Sequence, residues 1–388
     1  MVHLLALGDN GGVDDFLWED IRWDLFLSVA NRSHRVSSIL YKKIRDHGCS
    51  YIPEEVITAL GQQNHDHRLH MLKLTGELIR VGRLLTDAGL PYLAYKGPAL
   101  GCRLYQDPGI RYAVDLDLVL PMDRIMAAVD ILLASGYVLH SPSYAYSSKQ
   151  MDKYFAQLEH LTLIHGRSGI KVELHWKFFT TPLCDLTMAS VWKNQELIQI
   201  GSHAIPMVGG QELLILLLLH GGKHHWNRLS WVCDIRELIA GYGHSEWECL
   251  MNRVRELKIQ RPVHYAFLII AELFKGSLPS TVLAAAESDK NAKRLARRTM
   301  LRFWSGVPVA KHALRGEVEK AVHRFMFLPH FKYRLELILR NLLYWETEYL
   351  PLPDRFRFFY YLFRPYLWFF RQVLKIPPAS RPLPERGE

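Results

Sequence analysis

Cysteine is scarce in this chain: five residues in 388, at Cys49, Cys102, Cys184, Cys233 and Cys249. They are odd in number, widely spaced and form no CxxC pair, which argues against a disulfide framework or a cysteine zinc site and suits a reducing compartment. Long apolar runs are missing too. The longest aliphatic stretch, Leu213 to Leu219, falls far short of the roughly 20 residues a membrane span needs. The N-terminal stretch MVHLLALGDNGGVDDFLWED has no basic flank and runs into acids, so it does not read as a signal peptide. There are no internal repeats and no low-complexity tract apart from a Pro-rich end. Hydrophobic residues at 49% and charged residues at 22% exclude intrinsic disorder and collagen-like architectures. The expectation is a cytoplasmic globular protein without a transmembrane segment, long enough for two or three domains at about 150 residues each.

Acid is in deficit. Lys plus Arg number 48 against 39 Asp plus Glu, a formal charge of +9. This favours polyanionic partners such as nucleotides, nucleic acid or an anionic membrane surface without choosing among them.

Hydrophobic periodicity divides the chain. Residues 14–90 show apolar spacing of three and four, with a stop at Gly89 and Pro91, as in helices. Residues 92–176 read as a small β-α-β-α-β-β unit that ends in a hairpin around Gly166-Arg167-Ser168-Gly169. Beyond residue 210 the pattern is helical again. The expected fold class is α+β: an N-terminal helical region (1–90), a small mixed-sheet core (91–180), a helical domain for substrate or partner (181–376) and a Pro-rich tail (377–388).

Two carboxylates mark the core. Asp115 and Asp117 stand two apart on the expected strand Val114–Leu120, so their side chains share a face. Crowded carboxylates repel each other, and a hard cation such as Mg²⁺ offsets that repulsion; a solvated strand face is the plainer alternative. Glu173 alternates with apolar residues over 170–176 in the same way. If that strand pairs beside 114–120, three acids converge, the layout for two metal ions about 3.5–4 Å apart in phosphoryl or nucleotidyl transfer.

The run Leu93-Ala94-Tyr95-Lys96-Gly97-Pro98-Ala99-Leu100, then Tyr105, Arg111, Asp115-Leu116-Asp117-Leu118 and Val172-Glu173-Leu174-His175-Trp176 resembles a family of uncharacterised nucleotidyltransferases grouped with the polymerase-β-type enzymes. The resemblance covers roughly residues 20–370 and is most specific over 93–176. It implies a nucleotidyltransferase core between helical regions, with Asp115 and Asp117 as metal ligands and Glu173 as the third acid. It further implies Mg²⁺ or Mn²⁺ and a nucleoside triphosphate (NTP) whose NMP group passes to an acceptor: a small molecule, a sugar, a peptide or RNA. One position departs from the wider superfamily. Where a Gly-Ser or Gly-Gly pair opens the first helix, this chain has Lys96-Gly97-Pro98. Gly97 permits close approach to phosphate at a helix N-terminus, and Lys96 can add charge. The departure leaves two alternatives open: a catalytically altered module that binds nucleotide, polyanion or a partner, and a phosphotransferase using similar acids.

Further candidates surround these acids. Arg111 reads as a phosphate ligand or as an aspartate's partner. His175 shares the face of Glu173 and is a substrate contact or a structural histidine. In His220-Gly221-Gly222-Lys223-His224 the glycines weaken a helical metal spacing; by the resemblance, Lys223, His224 and Asp234 contact substrate or pack helices. Lys290, Lys293, Arg294, Arg297, Arg298 and Arg302 form a basic stripe for nucleic acid or a solvated helix face. Residues 355–370 hold ten aromatics in sixteen; with the arginines through 371 they suit peripheral contact with an anionic membrane or closure of the core.

Overall fold

The computed structural model describes residues 1–5, 21–141, 148–179, 183–305, 314–328 and 330–343, with single positions at 356, 358, 359, 362, 363 and 366. Most of the aromatic segment 355–371 and the whole tail 377–388 lie outside the described residues. The architecture is α+β. Seven strands form one mixed sheet: β1 (Leu93–Ala94), β2 (Asp115–Val119), β3 (Tyr137–Ser141), β4 (His160–His165), β5 (Lys171–His175), β6 (Gln195–Ile200) and β7 (His203–Val208), in the spatial order β3-β4-β5-β2-β1-β7-β6. Helices precede, interrupt and follow them. Among the described residues no helix is long and apolar enough to cross a membrane, and all five cysteines are free.

Local sequence explains the elements that frame the sheet. The helix Glu54–Asp87 follows Pro53 and opens with Glu54 and Glu55, acids that complement the positive N-terminal end of a helix. It ends where Gly89 adopts φ +68°. There the Leu90 amide reaches back to the Leu85 carbonyl at 2.9 Å, the six-to-one bond of a glycine C-cap. After β1, Gly97 turns the chain at φ +62°, and Pro98 sits in the first turn of the helix Gly97–Tyr105. A Cβ on Gly97 would lie 3.4 Å from the Asp115 carbonyl oxygen, so this turn is pressed against the start of β2.

The central strands decide what the sheet presents. β2 and β5 pair in parallel, with Asp115 beside Lys171, Asp117 beside Glu173 and Val119 beside His175. Partners in a ladder point to the same face. The other face carries Leu116, Leu118, Val172 and Leu174, each at most 1% exposed. Period-two alternation therefore splits each strand into a core face and an ionisable face.

Two features extend the expected architecture. The hairpin β6–β7 adds to the sheet, because β7 pairs in parallel with β1 through Ala94 and Met207; the sheet thus takes in residues beyond 180. The strand β3, absent from the expected β-α-β-α-β-β order, pairs with β4 at the opposite edge.

The helix Gly210–Lys223 runs straight through Gly221-Gly222, contrary to the weakening expected of two glycines. Packing gives the reason: a Cβ on Gly221 would lie 2.5 Å from the buried Trp226 ring. Trp226 holds φ +48° and its amide closes on the Gly221 carbonyl at 2.8 Å, so the ring cannot withdraw. Gly221→Ala should therefore destabilise the protein by about 1–3 kcal/mol through overpacking, even though Ala is the better helix former. Urea denaturation followed by circular dichroism measures this, and a stabilised variant would contradict the packing argument.

Candidate functional site

The ionisable face of β2 and β5 opens into a cavity of about 450 Å³. Asp115, Asp117, Glu173 and His175 line its floor, and Lys96 and Gly97 lie on the wall next to β1. The helices beyond residue 210 supply His220, Lys223 and Trp231, their connection supplies His224 and Arg228, and a connection between N-terminal helices supplies Arg35.

The acids do not stand alone. His175 Nε2 lies 3.2 Å from Asp117 Oδ1 and 3.5 Å from Glu173 Oε2. Lys171 Nζ lies 3.9 Å from Asp115 Oδ2. Burial raises the Asp115 carboxyl to about 6, helped by the negative charges of Asp117 and Glu173. Burial also acts to raise Asp117, but the Lys96 charge and the hydrogen bond from His175 overcome it and hold this carboxyl well below the usual range. Glu173 is likewise lowered by His175 against burial. For His175, burial opposes the charge, yet the two carboxylates raise its pKa to about 9. An imidazolium thus sits between Asp117 and Glu173, where two negative charges would otherwise meet.

One donor cluster went unread in the sequence. His160 Nε2 lies 3.8 Å from Glu173 Oε2, and candidate ligand atoms of His160, Glu173 and His175 all lie within 4.8 Å of one another. The hairpin register places His160 opposite His175, so counting outward from the Gly166–Gly169 turn would have found it. The Nδ1 atoms of both histidines are buried without a hydrogen-bond partner.

Other candidates take different places. Arg111 is 6% exposed, and its Nε donates to Asp234 Oδ2 at 2.8 Å. Tyr105 donates to the other oxygen of Asp234 at 3.3 Å. Burial pushes the Asp234 carboxyl up, and the Arg111 charge opposes it. The guanidinium expected to meet phosphate is therefore engaged by an aspartate, and Asp234 sits behind the cavity wall. Lys96 Nζ lies 3.2 Å from His220 Nδ1. Burial lowers the Lys96 amine while Asp117 supports its charge. Lys223 Nζ reaches Glu159 Oε1 at 3.4 Å. The His224 ring lies 4.7 Å from that of His220 and 5.9 Å from that of Trp231. Lys290, Lys293, Arg294, Arg297 and Arg298 are exposed on the helix Lys290–Ser305, away from this cavity, whereas Arg302 turns inward to Glu319. Two residues that sequence reasoning passed over, Arg35 and Arg228, line the cavity; they come from segments far apart in the chain.

A mixed sheet that presents acids to a helix-walled cavity is the class of structure seen here. Residues 19–275 match the model of the family described as uncharacterised nucleotidyltransferase, and the chain belongs to that family. No curated protein matches it.

Removing one partner of a buried ion pair leaves the other charge uncompensated, at a cost of about 3–5 kcal/mol. Asp234→Ala should lose that much stability, and Arg111→Met combined with Asp234→Leu should recover most of it. Equal melting curves for Asp234→Ala and wild type would show the pair to be without weight. His175 gives a pH signature. Its folded pKa, about 9, lies above the ordinary value near 6.5, so its contribution is complete below pH 6.5 and lost as pH rises through 9. Metal-free protein should lose on the order of 2–3 kcal/mol across this window. His175→Gln should flatten that part of the profile, and parallel profiles for the two proteins would count against the buried imidazolium.

Proposed function

We propose that the protein moves a nucleoside monophosphate from an NTP to a hydroxyl or phosphate of an acceptor, breaking the α–β phosphoanhydride and releasing pyrophosphate, assisted by Mg²⁺ or Mn²⁺. The observation that carries this reading is the parallel register of β2 and β5, which sets Asp117 beside Glu173 with Asp115 on the same face. Family membership supports the reaction class.

The donor chemistry fits a divalent cation. Three carboxylates offer hard oxygen ligands, and the upward shift of Asp115, caused first by burial and then by the charges of Asp117 and Glu173, includes a repulsion that a cation would relieve. The nitrogens of His160, and of His175 where it gives up its proton, favour Mn²⁺ over Mg²⁺, since neutral imidazole suits transition metals. Asp115, Asp117 and Glu173 would hold the ion, which when bound neutralises phosphate charge and acidifies the attacking hydroxyl. The rest falls to the chain itself. The backbone at Gly97 and the Lys96 ammonium hold phosphate oxygens. Glu173 orients the acceptor and takes its proton. His175 gives up its proton or swings aside when a cation binds, because both would occupy the space between Asp117 and Glu173. His220, Lys223 and His224 form the wall on which the acceptor rests.

The His175 imidazolium also favours a second reading. Acids already satisfied by an internal cation, together with Lys96-Gly97-Pro98 in place of Gly-Ser, suit a module that binds nucleotide without turning it over.

Thermal-shift titration with NTPs, with and without Mg²⁺ or Mn²⁺, followed by mass analysis of products, separates the two. Asp115→Asn with Asp117→Asn should abolish the metal-dependent shift. It should also slow turnover about a thousandfold, the scale of several kcal/mol of metal-assisted stabilisation. Unchanged NTP consumption in that variant would sink the assignment, and a metal-dependent shift without any product would favour the binding module.

A further inference from the structure

Two guanidiniums that line the cavity come from segments far apart in the chain. They belong to Arg35 and Arg228, and neither has an ion-pair partner among the described residues. Two hydrogen bonds to His34 join their segments across the fold. The Ser230 amide donates to the His34 carbonyl at 3.2 Å, and the Leu229 amide donates to His34 Nδ1 at 3.4 Å. These bonds fasten the residue before Arg35 to the two residues after Arg228. They also satisfy free amides in the first turn of the helix Leu229–Ile239.

Each guanidinium has an aromatic support. Arg35 lies 5.1 Å from the centre of the Tyr112 ring, and Arg228 lies 5.1 Å from that of Trp231. Contact with an aromatic ring restrains an arginine and leaves N–H donors for an anion. Arg35 also holds φ +56°, a left-handed conformation that costs a side-chain-bearing residue about 1–3 kcal/mol and gathers at functional sites. The pair is electrostatically uncomfortable: burial, and after it the charge of Arg35, lowers the Arg228 pKa to about 10. Asp115 attracts both arginines from a distance but pairs with neither.

We propose that Arg35 and Arg228 form a clamp for a polyphosphate, the β- and γ-phosphates of the donor nucleotide. The proposal rests on the nucleotidyl-transfer reading above for the identity of the donor. Its anion chemistry stands on the arginine pair alone. Two forks that repel each other become favourable neighbours once a multiply charged anion lies between them, and each pairs bidentately with phosphate oxygens. Arg111 cannot serve in this way because Asp234 already engages it. Position favours the donor over the acceptor. Asp115 is the acid whose charge acts on both arginines, and the turn at Gly97 packs against its carbonyl. Glu173 and His160, on the far side of β2 from β1, flank the other end of the cavity.

Isothermal titration of the full chain with inorganic tripolyphosphate in the absence of metal, and with ATP and AMP, tests the clamp. Arg35→Met and Arg228→Met keep bulk on the rings and remove the charge. Each should weaken tripolyphosphate and ATP binding about tenfold or more, the scale of one charge-assisted contact, and change AMP binding less than about twofold. Arg35→Lys and Arg228→Lys, which keep the charge and the fold, should bind tripolyphosphate more tightly than the Met variants. Wild type that fails to bind tripolyphosphate, folded Met variants that bind it unchanged, or an equal loss for AMP would each overturn the proposal. If Asp115→Asn with Asp117→Asn leaves metal-dependent nucleotide binding intact, the transfer reading fails while the metal-free tripolyphosphate result still stands or falls by itself.

Discussion

Parallel pairing of β2 with β5 puts Asp117 and Glu173 side by side at the roughly 4.8 Å spacing of neighbouring strands, with Asp115 one pleat away on the same face. At an effective dielectric near 20, two such charges repel by about 3 kcal/mol. That is a large fraction of the 5–15 kcal/mol by which domains are stable. The sheet cannot carry this arrangement unless cations are built around it. The sheet itself and the turn next to it answer much of that need: His175 of β5 between two carboxylates, Lys171 of β5 beside Asp115, Lys96 from the turn after β1. The strands that concentrate the negative charge thus also carry most of the positive charge that balances it.

The compensation is incomplete, and the way it is incomplete matters. Burial, and after it the charges of Asp117 and Glu173, keep the Asp115 pKa raised despite Lys171, so part of the repulsion remains. At the same time two arginines stand unpaired nearby. A protein selected for stability alone would have joined acid to base, as it did for Arg111 and Asp234 behind the cavity wall. Unspent charge of both signs in one cavity suits a ligand that brings both signs with it, and a phosphate chain carried by a divalent cation is such a ligand.

Local pattern made the floor of this site legible, and distance in sequence hid its walls. Alternation in Asp115–Val119 and Lys171–His175 marked both strands and the face each turns to the cavity. Gly89, Gly97-Pro98 and the 166–169 turn marked where elements stop and start. The strand β7 escaped notice because it contains Pro206 and joins the sheet through β1, more than a hundred residues earlier, a pairing no local period encodes. Arg111 illustrates the limit for function. Its position just ahead of Asp115 suited a phosphate ligand, but its partner is 123 residues away, and only packing reveals that the charge is already engaged. Arg35 and Arg228 show the converse: nothing in the sequence around either residue indicates that His34 fastens their two segments together.

The departure at Lys96-Gly97-Pro98 now has a physical consequence. Gly97 still makes the tight turn that presses the backbone on β2, so close approach to a phosphate survives. Pro98 is cheap for the fold, because the amide it removes lies in a first turn where helix amides have no intrahelical partner. It is costly for anion binding, because that same amide is one a helix N-terminus would offer to a phosphate. The hydroxyl that a serine would supply is gone as well. A turn with fewer donors needs charge from elsewhere if it is to hold a triphosphate, and the +9 of the chain as a whole does not answer this, since the basic residues over 290–298 face outward. The charge has to stand inside the cavity. Lys96 stands there on the β1 side but is already engaged by His220 and Asp117, whereas Arg35 and Arg228 stand on connecting segments without an ion-pair partner among the described residues, so the loss of the usual donors and the presence of this arginine pair read as two halves of one adaptation.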